Sequence, residues 1–394
     1  MKILIALTFV IAHVMCEDGS LKKFSDGNVK FTANVYKELL KTNAGNFLVC
    51  PMSVQTVFAL LHAGTRGTTA SQISSGLNLP ESSEELKNTF KSLLPILQHT
   101  GVYNLSSANK IYIKNQFKVK DEFKTVATET FKSEIQEIDF EKKSYAVNEI
   151  NKWVEEQTHD KIKNLLTEDD INELTRLVLI NAMYFKGNWI HKFEKYNTRK
   201  QPFYLSKNKQ TDIDTMEITK HFKYHECNKL NVKYLEMDFE GGDMSMTFVL
   251  PNDKEGLSAV ENNLKEILEE QKYTWEKVHV KIPKYKIETK IQFVPILQKL
   301  GIVDAFDGDK ADLSGINSNP GEKLSVAKVI QKAFIEVKEE GTTAAAATAV
   351  LLIVGSSGMV GPYIPPKEFI ADHPFIFILR HKHGVMFVGR YNGN

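Results

Sequence analysis

The stretch from Glu339 to Val354, EEGTTAAAATAVLLIV, constrains this chain more than any other. It begins with charge, passes through one glycine and becomes a run of small and β-branched residues. Such a run suits a buried strand. The segment that follows, GSSGMVGPYIPP, cannot be one, because its glycines, serines and prolines favour an exposed loop. One half is made for a sheet and the other for solvent. The fold must therefore hold a loop that can become a strand.

At 394 residues the chain can bury a large core. Hydrophobic residues make up 42% and charged residues 25%, which fits a globular protein. A formal net charge of +1 removes any global electrostatic argument for binding nucleic acid or a membrane surface.

The N-terminus is read as a leader outside the fold. Met1 and Lys2 precede an apolar run, Ile3 to Met15, broken only by Thr8 and His13. The run is short for a bilayer and matches a secretory signal peptide over 1–16, with cleavage after Cys16. Residues 17–394 then form a single domain. Cys50 and Cys227 remain; Cys50, in FLVC, is expected to be buried, and the two are read as separate free thiols. A core, not a disulfide framework, must hold such a chain. Asn104-Leu105-Ser106 is an acceptor sequon that suits secretion.

Apolar spacing predicts helices over Phe24–Leu40, Val54–Ala63 with Ser53 as its cap, Ser83–Gln98, Asp121–Thr130, Tyr145–His159, Leu257–Gln271 and Ile291–Leu300. Strands are predicted over Phe47–Val49, Leu105–Ile113, Ile135–Phe140, Gln201–Leu205, His221–His225, Val232–Met237, Met244–Leu250, His279–Ile287 and Leu324–Val337. Phe375–Leu379 and Val385–Val388 form a last hairpin around His383-Gly384. Leu177 to Phe185 is apolar throughout and should be central in a sheet. The elements mix without regular alternation, which argues for one large α+β domain.

Chemistry-bearing motifs are absent. There is no G-x-G-x-x-G, P-loop or H-E-x-x-H, and the GSSG after Val354 does not satisfy G-x-S-x-G. His381-Lys382-His383 is read as a turn with solvated side chains rather than a metal site. His221 and His225 are read as one solvated strand face, and Lys200, Lys207 and Lys209 as a basic loop. No metal, no cofactor and no catalytic constellation is expected.

Several segments together resemble the serpin family, and more narrowly its secreted insect members of the inhibitory class. They are NFLVCPMSV from Asn46, LINAMYFKGNW from Leu179, KAFIEVKEEGT from Lys332, FIADHPF from Phe369 and Val388-Gly389-Arg390. They occur in the family's order and span about Phe24 to Arg390. The resemblance implies three β-sheets, eight or nine helices and an exposed C-terminal reactive loop at about 339–368. It implies a metastable monomer whose loop is cut by a target protease. The freed loop then inserts into the main sheet and traps the covalent acyl-enzyme.

The hinge suits that mechanism. Glu339 precedes Gly341, which permits the backbone to turn. From there Thr342, Ala344, Ala346, Thr348, Val350 and Leu352 would share one face of an inserted strand. Thr343, Ala345, Ala347, Ala349, Leu351 and Ile353 would share the other, and none of the twelve is charged. The same run could also form an Ala-rich helix in the intact chain. By the resemblance, the sheet opens over Ser53, Asn181 and a histidine, whose position here is Gln331. Glutamine still donates and accepts, but the cluster loses pH sensitivity. At the top of the sheet, Glu339 should meet Lys284 near Trp189 as a partly exposed pair worth about 1 kcal/mol or less.

Counting from Glu339 by the family's hinge spacing places the scissile bond at Gly355–Ser356, with Val354 and Met359 as alternatives. No Arg or Lys occurs from Gly341 to Pro366, which excludes trypsin-like targets. An elastase-like or chymotrypsin-like serine protease accepts a small or apolar bait. A papain-like cysteine protease would read Val354. Cutting at Met359 would leave roughly 13 Å of slack strand. A non-inhibitory carrier, storage or binding protein on the same fold is the contrasting reading. Glycosaminoglycan activation is not expected, because Ser83–Gln98 carries only Lys87 and Lys91.

Overall fold

A computed structural model describes residues 2–97, 103–319, 321–341 and 364–393; of residues 2–18 and 107 it gives the backbone path. Among the described residues the helices are α1 (Lys2–Leu40), α2 (Pro51–Ala63), α3 (Gly67–Leu77), α4 (Ser83–Leu97), α5 (Asp121–Glu129), α6 (Lys143–Gln157), α7 (Leu257–Asn262), α8 (Leu264–Leu268) and α9 (Val294–Lys299). The first seven strands are β1 (Phe47–Val49), β2 (Asn104–Lys114), β3 (Glu134–Ile138), β4 (Leu177–Lys186), β5 (Arg199–Ser206), β6 (Lys209–Cys227) and β7 (Val232–Asp238). The rest are β8 (Met244–Pro251), β9 (Thr274–Pro283), β10 (Tyr285–Gln292), β11 (Val326–Val337), β12 (Lys367–Ile370), β13 (Phe375–His381) and β14 (Gly384–Tyr391). No described helix is long and apolar enough to cross a bilayer.

The strands make a five-stranded sheet, ordered β10-β11-β4-β2-β3, and a nine-stranded sheet, ordered β1-β14-β13-β8-β7-β6-β9-β12 with β5 on β6. The expected second and third sheets are continuous through β6. Its first part pairs with β5 and its last part with β7, while β9 spans both. Lys207 and Lys209 thus sit at a tight β5–β6 hairpin, and His221 and His225 lie inside one long strand.

The core lies between the two sheets, around α2. Every residue of α2 from Pro51 to His62 is buried, and the polar Ser53, Gln55 and Thr56 among them make side-chain hydrogen bonds. Pro51 fits the first turn because its missing N–H would have no partner there. Ser53 is not the cap; Cys50 holds that position and makes no side-chain cap bond. Gly64 ends α2, and Gly67 is the first residue of α3. The predicted helix from Leu257 breaks at Asn263 into α7 and α8.

A second core lies on the opposite face of the five-stranded sheet. There α6 and the segment after it cover β2, β4 and β11 with Val147, Ile150, Val154, Ile162, Leu165 and Ile171. Alternation along β4 and β11 divides their side chains cleanly. Ile180, Ala182, Tyr184, Ile330 and Phe334 face α6, whereas Leu179, Met183, Phe185, Val329, Ala333 and Ile335 face the main core. Both faces are dry, which explains why β4 reads as a continuous apolar run.

Candidate functional site

The candidate site is the seam where β4 and β11 run side by side. They pair in parallel from Leu177/Val326 to Tyr184/Phe334. Above that point Ile335–Val337 pair only with β10, and Phe185 and Lys186 only with β2. The top of the seam is thus already parted. With both faces dry, a strand entering here must be small or apolar on both sides, which is the composition of 342–353.

Three polar residues cross the seam in one row, because Asn109 on β2 is in register with Asn181 on β4, and Asn181 with Gln331 on β11. Gln331 is fully buried and makes three bonds. Its Oε1 accepts from the Cys50 N–H at 2.9 Å, and its Nε2 donates to Cys50 O at 2.8 Å and to Asn181 Oδ1 at 2.6 Å. Asn181 Nδ2 in turn donates to Ser53 Oγ and Asn109 Oδ1, and Ser53 Oγ donates to Asn109 Oδ1 at 3.1 Å. Ser53, Asn181 and Gln331 therefore meet as expected. Their row ties both strands of the seam to the start of α2. Asn109 completes it, a role that only the register across β2, β4 and β11 reveals. Burial pushes the Cys50 thiol up to about 12, so it packs as an inert apolar group.

The hinge sits where β11 ends. Gly341 has φ +127°, and a Cβ there would lie 2.2 Å from Gly187 O and 2.7 Å from Asn188 Cα. Only glycine allows both that conformation and that approach. The Trp189 N–H donates to Glu340 O at 2.9 Å, Trp189 Nε1 to Lys338 O at 3.0 Å, and the Phe193 N–H to Glu339 O at 2.9 Å. The Trp189 ring stacks on Phe239 with centroids 4.2 Å apart. Lys284 Nζ lies 2.9 Å from Glu339 Oε1, as expected, and Thr198 Oγ1 donates to the same oxygen at 2.8 Å. The pair is less exposed than its sequence implied, because Glu339 is buried and Lys284 is at the margin. Burial alone would raise the Glu339 carboxyl; the bonds from Lys284, backbone and Thr198 outweigh it and hold the pKa below the usual value. Lys195 pairs with Glu340 at 2.6 Å.

The covering segment after α6 is fastened on both sides of the seam. Asn151 on α6 exchanges two bonds with the Leu166 backbone, at 2.8 and 2.9 Å. Across the seam, Lys332 donates to Lys163 O at 2.6 Å, and Lys290 pairs with Asp170 at 2.7 Å.

Other expected residues fall elsewhere. Thr342, Ala344, Ala345, Ala346, Ala347, Thr348, Val354, Gly355, Ser356 and Met359 lie outside the described residues. Asn104 is half-buried at the start of β2, where Ser106 Oγ donates to its Oδ1 at 3.1 Å. Cys50 and Cys227 are unpaired thiols. His381 is not solvated: it is buried, and its Nε2 has no partner. No described group of three His, Cys, Asp or Glu could hold a metal ion.

A family model described as "Serpin (serine protease inhibitor)" matches residues 26–393. The chain is 34% identical over 389 residues to the leukocyte elastase inhibitor of Equus caballus, covering 94% of this chain and all of that one. It is 34% identical to antichymotrypsin-2 of Bombyx mori, with 93% of this chain and 97% of that one covered. Among solved structures it resembles Serpin48, a highly specific serpin of the insect Tenebrio molitor, at 41% identity and a TM-score of 0.86, covering 95% of this chain and 98% of that one.

Proposed function

Since the chain belongs to the serpin family, protease inhibitors rather than enzymes, we propose that it is a secreted, monomeric trap for an extracellular serine protease of elastase-like or chymotrypsin-like preference. The protease cuts the bait at Gly355–Ser356. Its acylated half then enters the parted top of the β4–β11 seam and carries the covalently bound enzyme with it. In this reading residues 1–16 are removed on secretion and Asn104 carries a glycan.

The observation that carries this reading is the match between seam and segment. The seam is dry on both faces, parted above Tyr184 and Phe334, and ends at a glycine hinge. The twelve residues after Gly341 hold no charge and no proline. A charged residue entering such a site would be desolvated without a partner, costing several kcal/mol. Relatives named as elastase inhibitor and antichymotrypsin support the choice of protease class.

The mature chain should be incubated with elastase, chymotrypsin and papain and run under denaturing conditions. A denaturant-stable complex with one of the serine proteases is expected, with a released C-terminal fragment that begins at Ser356. Cleavage by all three without a complex would overturn the inhibitor reading. A complex with papain alone, cut beside Val354, would move the target to the cysteine class.

A further inference from the structure

Left-handed backbone is costly for any residue with a side chain, and it persists only where the surroundings impose it. Six described residues other than glycine have positive φ. Three of them fall within one short stretch of the segment after α6: His159 (+50°), Asp160 (+59°) and Asn164 (+50°). All three are exposed, so no burial of their own side chains explains the conformation.

What imposes it is a set of anchorages on opposite flanks of the seam. On one flank α6 is seated on β2: Trp153 meets Tyr112 edge-on at 6.3 Å, and Lys110 Nζ lies 4.7 Å over the Trp153 ring. From there α6 holds the stretch at two points. At its own end the fully buried Thr158 accepts from the Ile162 N–H at 3.2 Å, and Asn151 binds the Leu166 backbone. On the other flank, Lys332 of β11 holds Lys163 O at 2.6 Å. The chain thus runs from α6 to β11 and back to α6. His159 and Asp160 lie in the outward run, and Asn164 lies in the return.

We propose that His159, Asp160 and Asn164 are stored slack, held left-handed while the seam is shut and extended as it widens. The segment then keeps its hold on both flanks and gives up strain as the new strand enters. The inference rests on the inhibitor reading, in which one added strand moves β4 and β11 apart by about 4.8 Å. A residue that exchanges a helical rise of about 1.5 Å for a strand rise of about 3.3 Å lengthens the chain by about 1.8 Å. The His159-Asp160 pair supplies about twice that, and the flexible Lys332 stem follows the remainder. A preference for positive φ at these positions therefore matters in the intact chain and not in the inserted one.

The test compares melting midpoints of the intact chain and of the chain cut once in its reactive loop, for the unsubstituted protein, His159→Gly, His159→Val and Lys132→Gly. Lys132 (φ +49°) precedes β3, the edge strand two places from the seam, and serves as the control. In the intact chain His159→Gly should raise the midpoint by about 1–2 °C, and His159→Val should lower it by about 2–4 °C. Glycine accepts positive φ freely, and a β-branched residue least of all. After the cut both shifts should vanish or reverse, whereas Lys132→Gly should shift the two forms equally. Equal shifts of the His159 variants in intact and cut chains, or no shift in either, would overturn the slack and leave the inhibitor reading standing. If cutting the unsubstituted chain brings no rise in its midpoint, no strand has entered and both readings fall.

Discussion

The β4–β11 seam and the β13–β14 hairpin are both buried pairs of strands, yet they are held in opposite ways. The hairpin pairs antiparallel along its length, from Phe375/Tyr391 to His381/Gly384, with β8 on one side and β1 on the other. Arg390 locks its end: it meets Glu261 at 3.1 Å, Gly45 O at 2.9 Å and Asn43 O at 2.8 Å, while Tyr36 also donates to Glu261. The seam is parallel, parted at its top and bridged by amides and lysines that can exchange partners. A region meant to stay shut is closed with aromatic and aliphatic side chains and one fully satisfied ion pair. On the inhibitor reading, the region that must open is closed with small polar groups whose bonds can be remade.

The largest test of that contrast falls on the hairpin. Arg390→Ala strands Glu261 without its cation in the core and should cost about 3–5 kcal/mol, read as a lower midpoint in denaturant. Next is acid. Burial first, then His383 and Lys382, push the His381 imidazole down to about 4 from 6.5, against the pull of Asp243. The unfolded chain then binds the proton more readily than the folded one. Stability is complete above pH 6.5 and falls between there and about pH 4, by about 3 kcal/mol. Denaturation across that window should show the loss, and His381→Phe should flatten it.

In the seam, Gln331→Ala removes the acceptor of the buried Cys50 N–H and the donor to Asn181 Oδ1. It should cost about 1–3 kcal/mol and speed the spontaneous closure of the loop into the sheet, seen as loss of inhibitory activity on warming. The smallest effect is at the hinge. The Glu339 pKa is depressed, so its clasp on Lys284 and Thr198 is complete above about pH 4.5 and is lost as the pH falls through the folded value. Removing it with Lys284→Met should cost about 1 kcal/mol or less, Lys284 lying at the margin. An effect of Lys284→Met larger than that of Gln331→Ala would reverse the ranking within the seam.

Much of this was legible in the sequence, for identifiable reasons. β4 declared itself by an unbroken apolar run, and Ser53, Asn181, Gln331 and the Glu339–Lys284 pair were found through family motifs. Local rules failed where tertiary contacts decide. Ser53 looked like a cap because serine commonly is one, but its hydroxyl is drawn to Asn109 and Asn181 instead. The Ser- and Thr-rich α3 drew no helix prediction because its stability comes from packing Ile73 and Leu77, not from propensity. His381 looked solvated because it lies one residue before a turn, yet it still belongs to a central strand. Asn109 carries no local signal at all; only the register across three strands gives it a role.

The place of β14 has a consequence for how the chain is made. β1 can pair only with residues at the far end of the sequence, and Arg390 reaches back 345 residues to Gly45. At roughly 5–20 residues per second, the ribosome delivers that partner some 17–70 s later. Until then β1 has no strand to pair with and the nine-stranded sheet ends at β13. A stop codon that removed only the last dozen residues would therefore be expected to discard the whole domain rather than trim it.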